Sequence, residues 1–397
     1  MLTRYFRIVV AGGLGAAAVA AAAASLDAQG VKISDPTSVV MIVNRDSNDI
    51  AFMDIKTKKM VGSVFLGNNV NPHMVMMSPD GRYVVTGGTR ANKAFIIDTK
   101  TLQLVKTIPT DIAPEHLAFS PDGRWYYQGN PDGDSISVID MQSLSKIKTI
   151  PGLAEPLNVT FLPDGSKAYV GNYGAHWVGV IDVRRHELIK KIQIAEVPGV
   201  AKLDPDKYLG EIHGINIAAP SYDGRYLYAA DGTLGVVGVI DPREDKVIKH
   251  IRVGKDPWRI YMSHDGRYGI TPNNGDETIS IIDLQSNTVA ATLEAGPDMT
   301  GVNFAAGKAF VISSTSGFVY VYDMNRLKPA GRIKIGTNIQ LETATTDPRD
   351  DKLYLAESTN HEVIIIDART HEFERVRNVG LFPWGTHIMD SKDNYCH

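Results

Sequence analysis

Four of the eleven histidines in this chain stand at similar places in a repeating pattern. Each precedes a recurring turn aspartate by six to ten residues, and they are His73, His116, His213 and His387. Neutral imidazoles that converge can hold copper, zinc or iron without any cysteine. The pattern therefore predicts a metal site. The alternatives are that each histidine caps a strand or binds water in a polar channel, or that the group binds substrate directly.

Other residues of chemical interest fall at or beside the same place, namely Glu115, Glu211, Trp258, Arg259 and Trp384. A guanidinium at Arg259 could make a forked contact with a carboxylate of a ligand or cofactor, or it could balance one of the two glutamates. The tryptophans predict stacking on a planar ligand, with packing between sheets as the alternative. A carboxylate here could act as a general base or orient an imidazole. No residue is assigned a catalytic role.

Apolar runs that end in aspartate recur along the chain and define the elements that must position these residues. The eight marker aspartates are Asp54, Asp98, Asp140, Asp182, Asp241, Asp283, Asp323 and Asp367. A period of roughly forty residues, built from short apolar segments and Asp-Gly turns, is typical of a repeated β architecture. The histidines therefore belong to a repeating β framework.

Four strands are predicted within one repeat. Strand A runs from 73 to 77, strand B from 83 to 86, strand C from 94 to 97 and strand D from 104 to 108. A Ser-Pro-Asp-Gly turn joins strands A and B, and glycine there takes a positive φ. Four antiparallel strands repeated radially form a β-propeller.

The two ends of the chain complete one repeat between them. Before His73 only strands B, C and D of a repeat are present, and after the last strand D the segment LFPWGTHIMDSKDNY supplies a lone strand A and its turn. We therefore predict an all-β fold, an eight-bladed β-propeller of four-stranded antiparallel blades, closed by a C-terminal strand A that completes the N-terminal blade.

Strand A is the innermost strand of a propeller blade, so its first residues line one mouth of the central channel. The four histidines then lie on the first, second, fourth and eighth blades, with the composite blade counted last. Six residues at about 3.3 Å each put the turn at Asp393 roughly 20 Å from His387, and Cys396 follows that turn. We expect it to lie outside the histidine cluster. A weak second metal- or partner-binding end at Cys396-His397 is an alternative.

The N-terminal residues and the composition bound the class of protein. Arg4 and Arg7 precede an alanine-rich apolar run, so residues 1–28 are predicted to be a signal peptide, with a membrane anchor as the alternative. Residues 29–397 then form a single β-propeller domain in the periplasm or another export compartment, with no integral membrane segment. The net charge of −4, without a basic stripe, argues against a nucleic-acid partner. The single cysteine excludes an intrachain disulfide and a covalent c-type haem.

The segment AYVGNYGAHWVGVIDVRRHELIKKI and the Ser-Pro-Asp-Gly turns resemble the YVTN family of bacterial β-propellers, over essentially all of the chain after the signal. The resemblance implies the same fold, export and one of several functions. Related propellers include the haem d1 propeller of cytochrome nitrite reductases, the copper propeller of nitrous oxide reductase and subunits of amine dehydrogenases. Eight blades favour the haem d1 group, because the copper and amine-oxidising propellers have seven.

We therefore predict an exported propeller whose axial site binds a transition metal or metallocofactor and serves redox chemistry or electron transfer. Copper is favoured, with iron or a haem d1-like group as alternatives and nothing covalently attached. The partner is expected to be a small-molecule substrate or a redox protein. One alternative is a non-catalytic periplasmic propeller that binds a ligand or a protein. Another is ring opening of a lactone-like substrate around a bound cation, which would favour a mouth richer in Asp, Glu and Asn.

Overall fold

A computed structural model describes residues 33–194 and 212–393 of the chain. These residues form eight four-stranded antiparallel sheets and two short 3-10 turns, at Pro36–Ser38 and Pro131–Gly133. The prediction of an all-β, eight-bladed propeller is confirmed. Within the same two ranges, no helix has the length and apolar character needed to cross a membrane.

The strands are numbered in chain order, and each blade is given with its bounds. Blade 8 contains β1 (Val39–Asn44), β2 (Asp49–Asp54) and β3 (Met60–Phe65), together with β32 (Pro383–His387). Blade 1 contains β4 (Pro72–Met77), β5 (Tyr83–Gly88), β6 (Lys93–Asp98) and β7 (Gln103–Pro109). Blade 2 contains β8 (Leu117–Phe119), β9 (Trp125–Asn130), β10 (Ser135–Asp140) and β11 (Ser145–Pro151). Blade 3 contains β12 (Pro156–Phe161), β13 (Lys167–Asn172), β14 (Trp177–Asp182) and β15 (Glu187–Gln193).

The remaining blades follow the same plan. Blade 4 contains β16 (Ile215–Pro220), β17 (Leu227–Asp231), β18 (Val236–Asp241) and β19 (Lys246–Arg252). Blade 5 contains β20 (Tyr261–Met262), β21 (Tyr268–Asn273), β22 (Thr278–Asp283) and β23 (Thr288–Glu294). Blade 6 contains β24 (Met299–Ala305), β25 (Lys308–Ser313), β26 (Phe318–Asp323) and β27 (Lys328–Lys334). Blade 7 contains β28 (Leu341–Thr346), β29 (Lys352–Glu357), β30 (Glu362–Asp367) and β31 (Phe373–Arg377).

The composite blade closes the ring as predicted. In blade 8 the order is β3-β2-β1-β32, and β32 pairs antiparallel with β1, with His387 opposite Met41. The innermost strands of neighbouring blades contact one another, as β12 does with β16 and β28 with β32. The two ends of the chain are therefore held together by a ladder of backbone hydrogen bonds at the centre of the molecule.

The predicted A–B turns all lie on one face of the propeller, here called the lower face. In blade 1, Ser78 Oγ donates to Asp80 Oδ1 at 2.6 Å and the amide of Tyr83 donates to Ser78 Oγ at 2.9 Å. Gly81 completes the turn with φ of 69°. The marker aspartates cap the C–D turns on the same face. The start of strand A, the B–C loops and the D–A loops consequently share the opposite, upper face.

The hydrophobic core lies between adjacent blades. Tyr169 of blade 3 is fully buried in one cluster with Ile215 and Ala218 of blade 4. Its hydroxyl donates to Asp245 Oδ1 at 2.5 Å, so the polar tip of the ring is paired at the lower edge of the next blade. Each blade therefore packs against its neighbours through apolar faces, and this packing holds the inner strands around the axis.

Candidate functional site

A β-bulge at the start of strand A aims the predicted ligands toward the upper mouth. In blade 1 the pairing register shifts between Pro72 and Val75, so His73 and Met74 share a place opposite a single residue, Gly87. A bulge adds one residue to a strand and redirects its side chains. A Cβ at Gly87 would lie 2.7 Å from the carbonyl oxygen of Pro114, which leads into blade 2. The close approach of the two backbones therefore requires glycine.

Blade 2 repeats this arrangement with two functional residues. The amide of Glu115 donates to the carbonyl of Gly129 at 3.1 Å, and the amide of Gly129 donates to the carbonyl of His116 at 2.7 Å. Gln128 Nε2 donates to the same His116 carbonyl at 2.9 Å. Glu115 and His116 therefore straddle one glycine of the neighbouring strand, and the backbone of His116 is fixed by two donors.

The bulges of blades 1 and 2 bring His73, Glu115 and His116 together. One potential ligand atom from each residue lies within 4.8 Å of the other two. The two imidazole rings are 5.3 Å apart at 67°, and they are 6% and 1% exposed. Donor atoms around one transition-metal ion lie about 2.8 to 4.2 Å apart, given bond lengths near 2.0 to 2.1 Å. Small side-chain rotations would thus let these three residues share one ion.

Trp384 and Arg45 border this group. The Trp384 ring centroid is 5.5 Å from that of His73, and the Arg45 guanidinium carbon is 4.2 Å from the centroid of the Trp384 ring. Arg45 Nη2 also donates to Asn71 Oδ1 at 2.9 Å. A cation is therefore held in a fixed place beside a flat aromatic face at the mouth.

The environment of Glu115 favours its neutral form. Burial raises the pKa of this carboxyl to about 7, opposed by the positive charge of Arg45 and reinforced by Asp132 and Glu155. The side chain is 31% exposed, so water screens part of these charge effects. Glu115 Oε2 lies 3.9 Å from His116 Nε2, which places an exchangeable proton next to a potential ligand.

His387 lies deeper in the channel than the other two inner-strand histidines. Trp384 follows Pro383 as His73 follows its proline, and His387 stands opposite Met41, three residues further along β32 than Trp384. Among the described residues, His387 is not a member of the group formed by His73, Glu115 and His116. Burial lowers the pKa of His387 to about 3, so its imidazole is neutral under ordinary conditions.

His213 lies on another side of the upper face and precedes β16 by two residues, so Asn216 takes the bulge position of that blade. His213 Nδ1 is 2.9 Å from Asp256 Oδ1, and its ring stacks on Tyr173 with centroids 5.7 Å apart at 17°. Within the described ranges, it too is outside the three-residue group. A carboxylate on Nδ1 leaves Nε2 as the atom available to a ligand.

The other predicted site residues are spread around the upper end of the channel. Trp258 packs edge-to-face on Tyr173 with centroids 5.5 Å apart. Arg259 is only 3% exposed, and its guanidinium carbon is 5.0 Å from the Tyr261 ring centroid. Glu211 lies outside the described residues. Trp258 and His213 thus share an aromatic neighbour, whereas Arg259 is buried in the inner wall.

Two residues of this mouth, Arg45 and Tyr173, were not predicted from the sequence. Both lie on B–C loops, Arg45 directly after β1 and Tyr173 directly after β13. The B–C loops open on the same face as the start of strand A, so the residue that follows strand B also reaches the mouth. The signal that could have found them is the aromatic or cationic residue that follows strand B.

Comparison with known proteins supports the resemblance to haem d1 propellers. A family model described as the cytochrome D1 heme domain matches residues 17–116, a range that ends at His116. The structure of the dihydro-heme d1 dehydrogenase NirN in complex with DHE is similar with a TM-score of 0.73 and 19% identity, over 90% of this chain and 76% of that chain.

Two further solved structures share the fold at lower similarity. Hydrazine synthase from Kuenenia stuttgartiensis has a TM-score of 0.55 and 20% identity, over 79% of this chain and 97% of that one. A functionally unknown protein from Desulfotomaculum acetoxidans has a TM-score of 0.57 and 12% identity, over 88% and 98% of the two chains. No curated protein matches the sequence significantly. The predicted resemblance to the haem d1 propeller group is confirmed, whereas the preference for copper has no support in these comparisons.

Proposed function

We propose that the upper mouth of this propeller binds a haem-type tetrapyrrole through the imidazole of His73 or His116, and that the protein serves redox chemistry. The observation that carries this proposal is that His73, Glu115 and His116 lie close together. His73 belongs to the β-bulge of blade 1, and Glu115 and His116 belong to the β-bulge of blade 2. The match of residues 17–116 to a heme-domain family model supports it.

The residues at the mouth have the chemistry that an iron macrocycle needs. His73 or His116, both buried imidazoles, would supply the nitrogen that holds the iron. Trp384 offers a flat aromatic face, and Arg45 offers a cation for an acidic side group of the macrocycle. When bound, such a group supplies one-electron chemistry that the side chains themselves cannot perform.

Glu115 is assigned to proton handling beside the ligand. Because its pKa is raised to about 7, the carboxyl can hold a proton near neutral pH and release it after a small change in its surroundings. In its ionised form it would accept a hydrogen bond from His116 and make that imidazole a stronger base. Glu115 would therefore hold or release a proton beside the imidazole of His116.

A second candidate is a bare transition-metal ion held by His73, Glu115 and His116, because all three offer ligand atoms within 4.8 Å of one another. In this case Glu115 is a ligand rather than a proton carrier. His387 and His213 would complete the set only if the side chains moved toward the group.

The signal-like residues 1–28 support export to the periplasm, and a small molecule or a redox protein would approach the upper face.

The test is a titration of cofactor-free protein with hemin, followed by its absorption spectrum. We expect the wild type to saturate at one equivalent of hemin. One of the two variants, His73→Ala or His116→Ala, should lose the histidine-ligated spectrum and bind hemin at least about tenfold more weakly. Free imidazole should restore the spectrum of that variant. Arg45→Gln should weaken binding while keeping the histidine-ligated spectrum.

The matched control is His250→Ala on the outer strand β19, which should bind hemin like the wild type. Equal binding by all variants would contradict the proposed site. A parallel calorimetric titration with Cu²⁺ or Zn²⁺ alone distinguishes the second candidate. Binding of the ion that is lost in Glu115→Gln, together with no specific hemin binding, would replace the first candidate with the second.

A further inference from the structure

The chain that follows β32 crosses the lower end of the axis. Asp393 is joined to three other blades: the amide of Phe304 donates to its Oδ2 at 2.5 Å, Thr346 Oγ1 donates to the same atom at 2.9 Å, and His264 Nε2 lies 2.8 Å from Oδ1. These partners belong to blades 6, 7 and 5, whereas β32 belongs to blade 8. Because inner strands meet at the axis, residues 388–393 must cross the lower axial opening.

Asp393 is fully buried at the end of this segment. A carboxylate removed from water needs hydrogen-bond donors and an opposite charge. The amide of Phe304 and the hydroxyl of Thr346 supply donors without charge. Within the described residues, His264 is the cationic partner in contact with this carboxylate.

The surroundings of His264 select its protonated form. Its Nε2 lies 2.8 Å from Asp393 Oδ1 and its Nδ1 lies 3.0 Å from Asp350 Oδ1. A ring nitrogen faces a carboxylate favourably only when it carries a proton, and both nitrogens carry one only in the imidazolium. Burial alone would lower the pKa of His264, but the hydrogen bonds and charges of Asp393 and Asp350 outweigh burial and raise it.

We propose that residues 388–393 form a latch over the lower axial opening, fastened by the imidazolium of His264, and that the latch loosens when His264 loses its proton. A neutral ring can donate to one carboxylate only. Either Asp350 then faces a lone pair, or the buried charge of Asp393 loses its partner. Both outcomes weaken the attachment of the segment to blades 5, 6 and 7.

The other charged groups around His264 are of both signs, and the carboxylates outnumber the ammonium groups once Asp350 and Asp393 are counted. A shallow cavity beside it is lined by Asp265, Asp350, Lys308 and Lys392. Lys308 Nζ is engaged by the carbonyl of Ala368 at 2.8 Å. With Asp393, three carboxylates face two ammonium groups, so a proton on His264 balances the local charge.

The sign of the pH dependence follows from the raised pKa. The folded protein holds the His264 proton more tightly than the unfolded chain does, so the stabilisation is complete below the ordinary value of 6.5 and is lost as pH rises through the folded value. The latch is therefore closed in mildly acidic solution and loosens as the pH rises through the folded value. This inference does not depend on a cofactor at the upper mouth.

Hydrogen exchange of the full-length protein, read by mass spectrometry, tests the latch. Protection of a peptide covering 383–393 is followed at pH 6, 7.5 and 9, with rates corrected for intrinsic exchange. We expect wild-type protection to fall by about tenfold or more between pH 6 and pH 9. His264→Gln should show low protection at every pH, and His250→Ala should behave like the wild type.

A second variant protects the test against a folding defect in His264→Gln. Asp350 is 39% exposed at its side chain, so Asp350→Asn removes one of the two carboxylates without opening the core. The midpoint of the protection change should then move to lower pH. Wild-type protection that does not depend on pH, or an unchanged midpoint in Asp350→Asn, would overturn the proposal.

Discussion

At the scale of single residues, Glu115 is a buried carboxyl that lies near one cation and two acidic side chains. Because its folded pKa is raised to about 7, the folded protein prefers the protonated carboxyl. This carboxyl therefore makes its full contribution to stability below its ordinary pKa of 4.5, and the contribution falls as pH rises toward 7. Glu115→Gln cannot ionise, so cofactor-free variant protein should melt at a higher temperature than wild type above pH 7 and at the same temperature at pH 4.

Thermal melting from pH 4 to pH 9 measures this difference, with Glu187→Gln as a control. Glu187 is 44% exposed at its side chain, so its substitution should shift the whole curve by little and without a pH trend. Parallel curves for wild type and Glu115→Gln would show that folding does not raise the pKa of this carboxyl.

The sequence predicted part of this residue-scale picture. The spacing from the turn aspartates predicts His73 and His116 at the mouth, with Glu115 and Trp384 beside the histidines. The same spacing, counted from Asp393 as the aspartate of an A–B turn, predicts His387 at the mouth. Asp393 is instead bonded to distant blades. Contacts between residues so far apart in the chain have no local sequence signal.

At the scale of strands, close contact between blades fixes the shape of the upper mouth. Gly171 of β13 faces the bulge of blade 4, and a Cβ there would lie 2.2 Å from the carbonyl oxygen of Asn216. The contacted atom belongs to the backbone, so it cannot move without shifting the inner strand. Gly171→Ala should therefore lower the free energy of unfolding by about 3 kcal/mol.

Chemical denaturation of Gly171→Ala and of Gly62→Ala measures this effect. Gly62 lies in an outer strand, and its added Cβ would be 3.6 Å from Leu102 Cδ1, an ordinary contact. We expect little change for this control. Equal losses in the two variants would mean that the blade contact at Gly171 does not constrain the inner strand.

Strands and turns were predictable because apolar alternation and Asp-Gly turns are local signals. The strands of blade 1 extend the predicted ranges by one or two residues. The inner strands β8 and β20 are much shorter, at Leu117–Phe119 and Tyr261–Met262. In blade 5, Pro257 forms an isolated bridge with Asn273, whereas Pro72 and Pro156 begin full strands at the matching place.

The two ends of the axis differ at the scale of the whole molecule. The upper mouth gathers His73, Glu115 and His116, whereas the lower opening is crossed by residues 388–393. Ring closure through β32 was predictable because it follows from counting repeats. The crossing of the lower opening was not predictable, since it depends on contacts of Asp393 with three blades.

The most direct test of the central claim is the absorption spectrum and metal content of protein isolated from its natural compartment, compared with a His73→Ala/His116→Ala double variant isolated in the same way. We predict one iron macrocycle per wild-type chain, with a histidine-ligated spectrum, and none in the double variant. Wild-type protein without any chromophore or metal would contradict the account and favour a propeller that binds a ligand or a partner protein without redox chemistry. Retention of the chromophore by the double variant would contradict the assignment of the site.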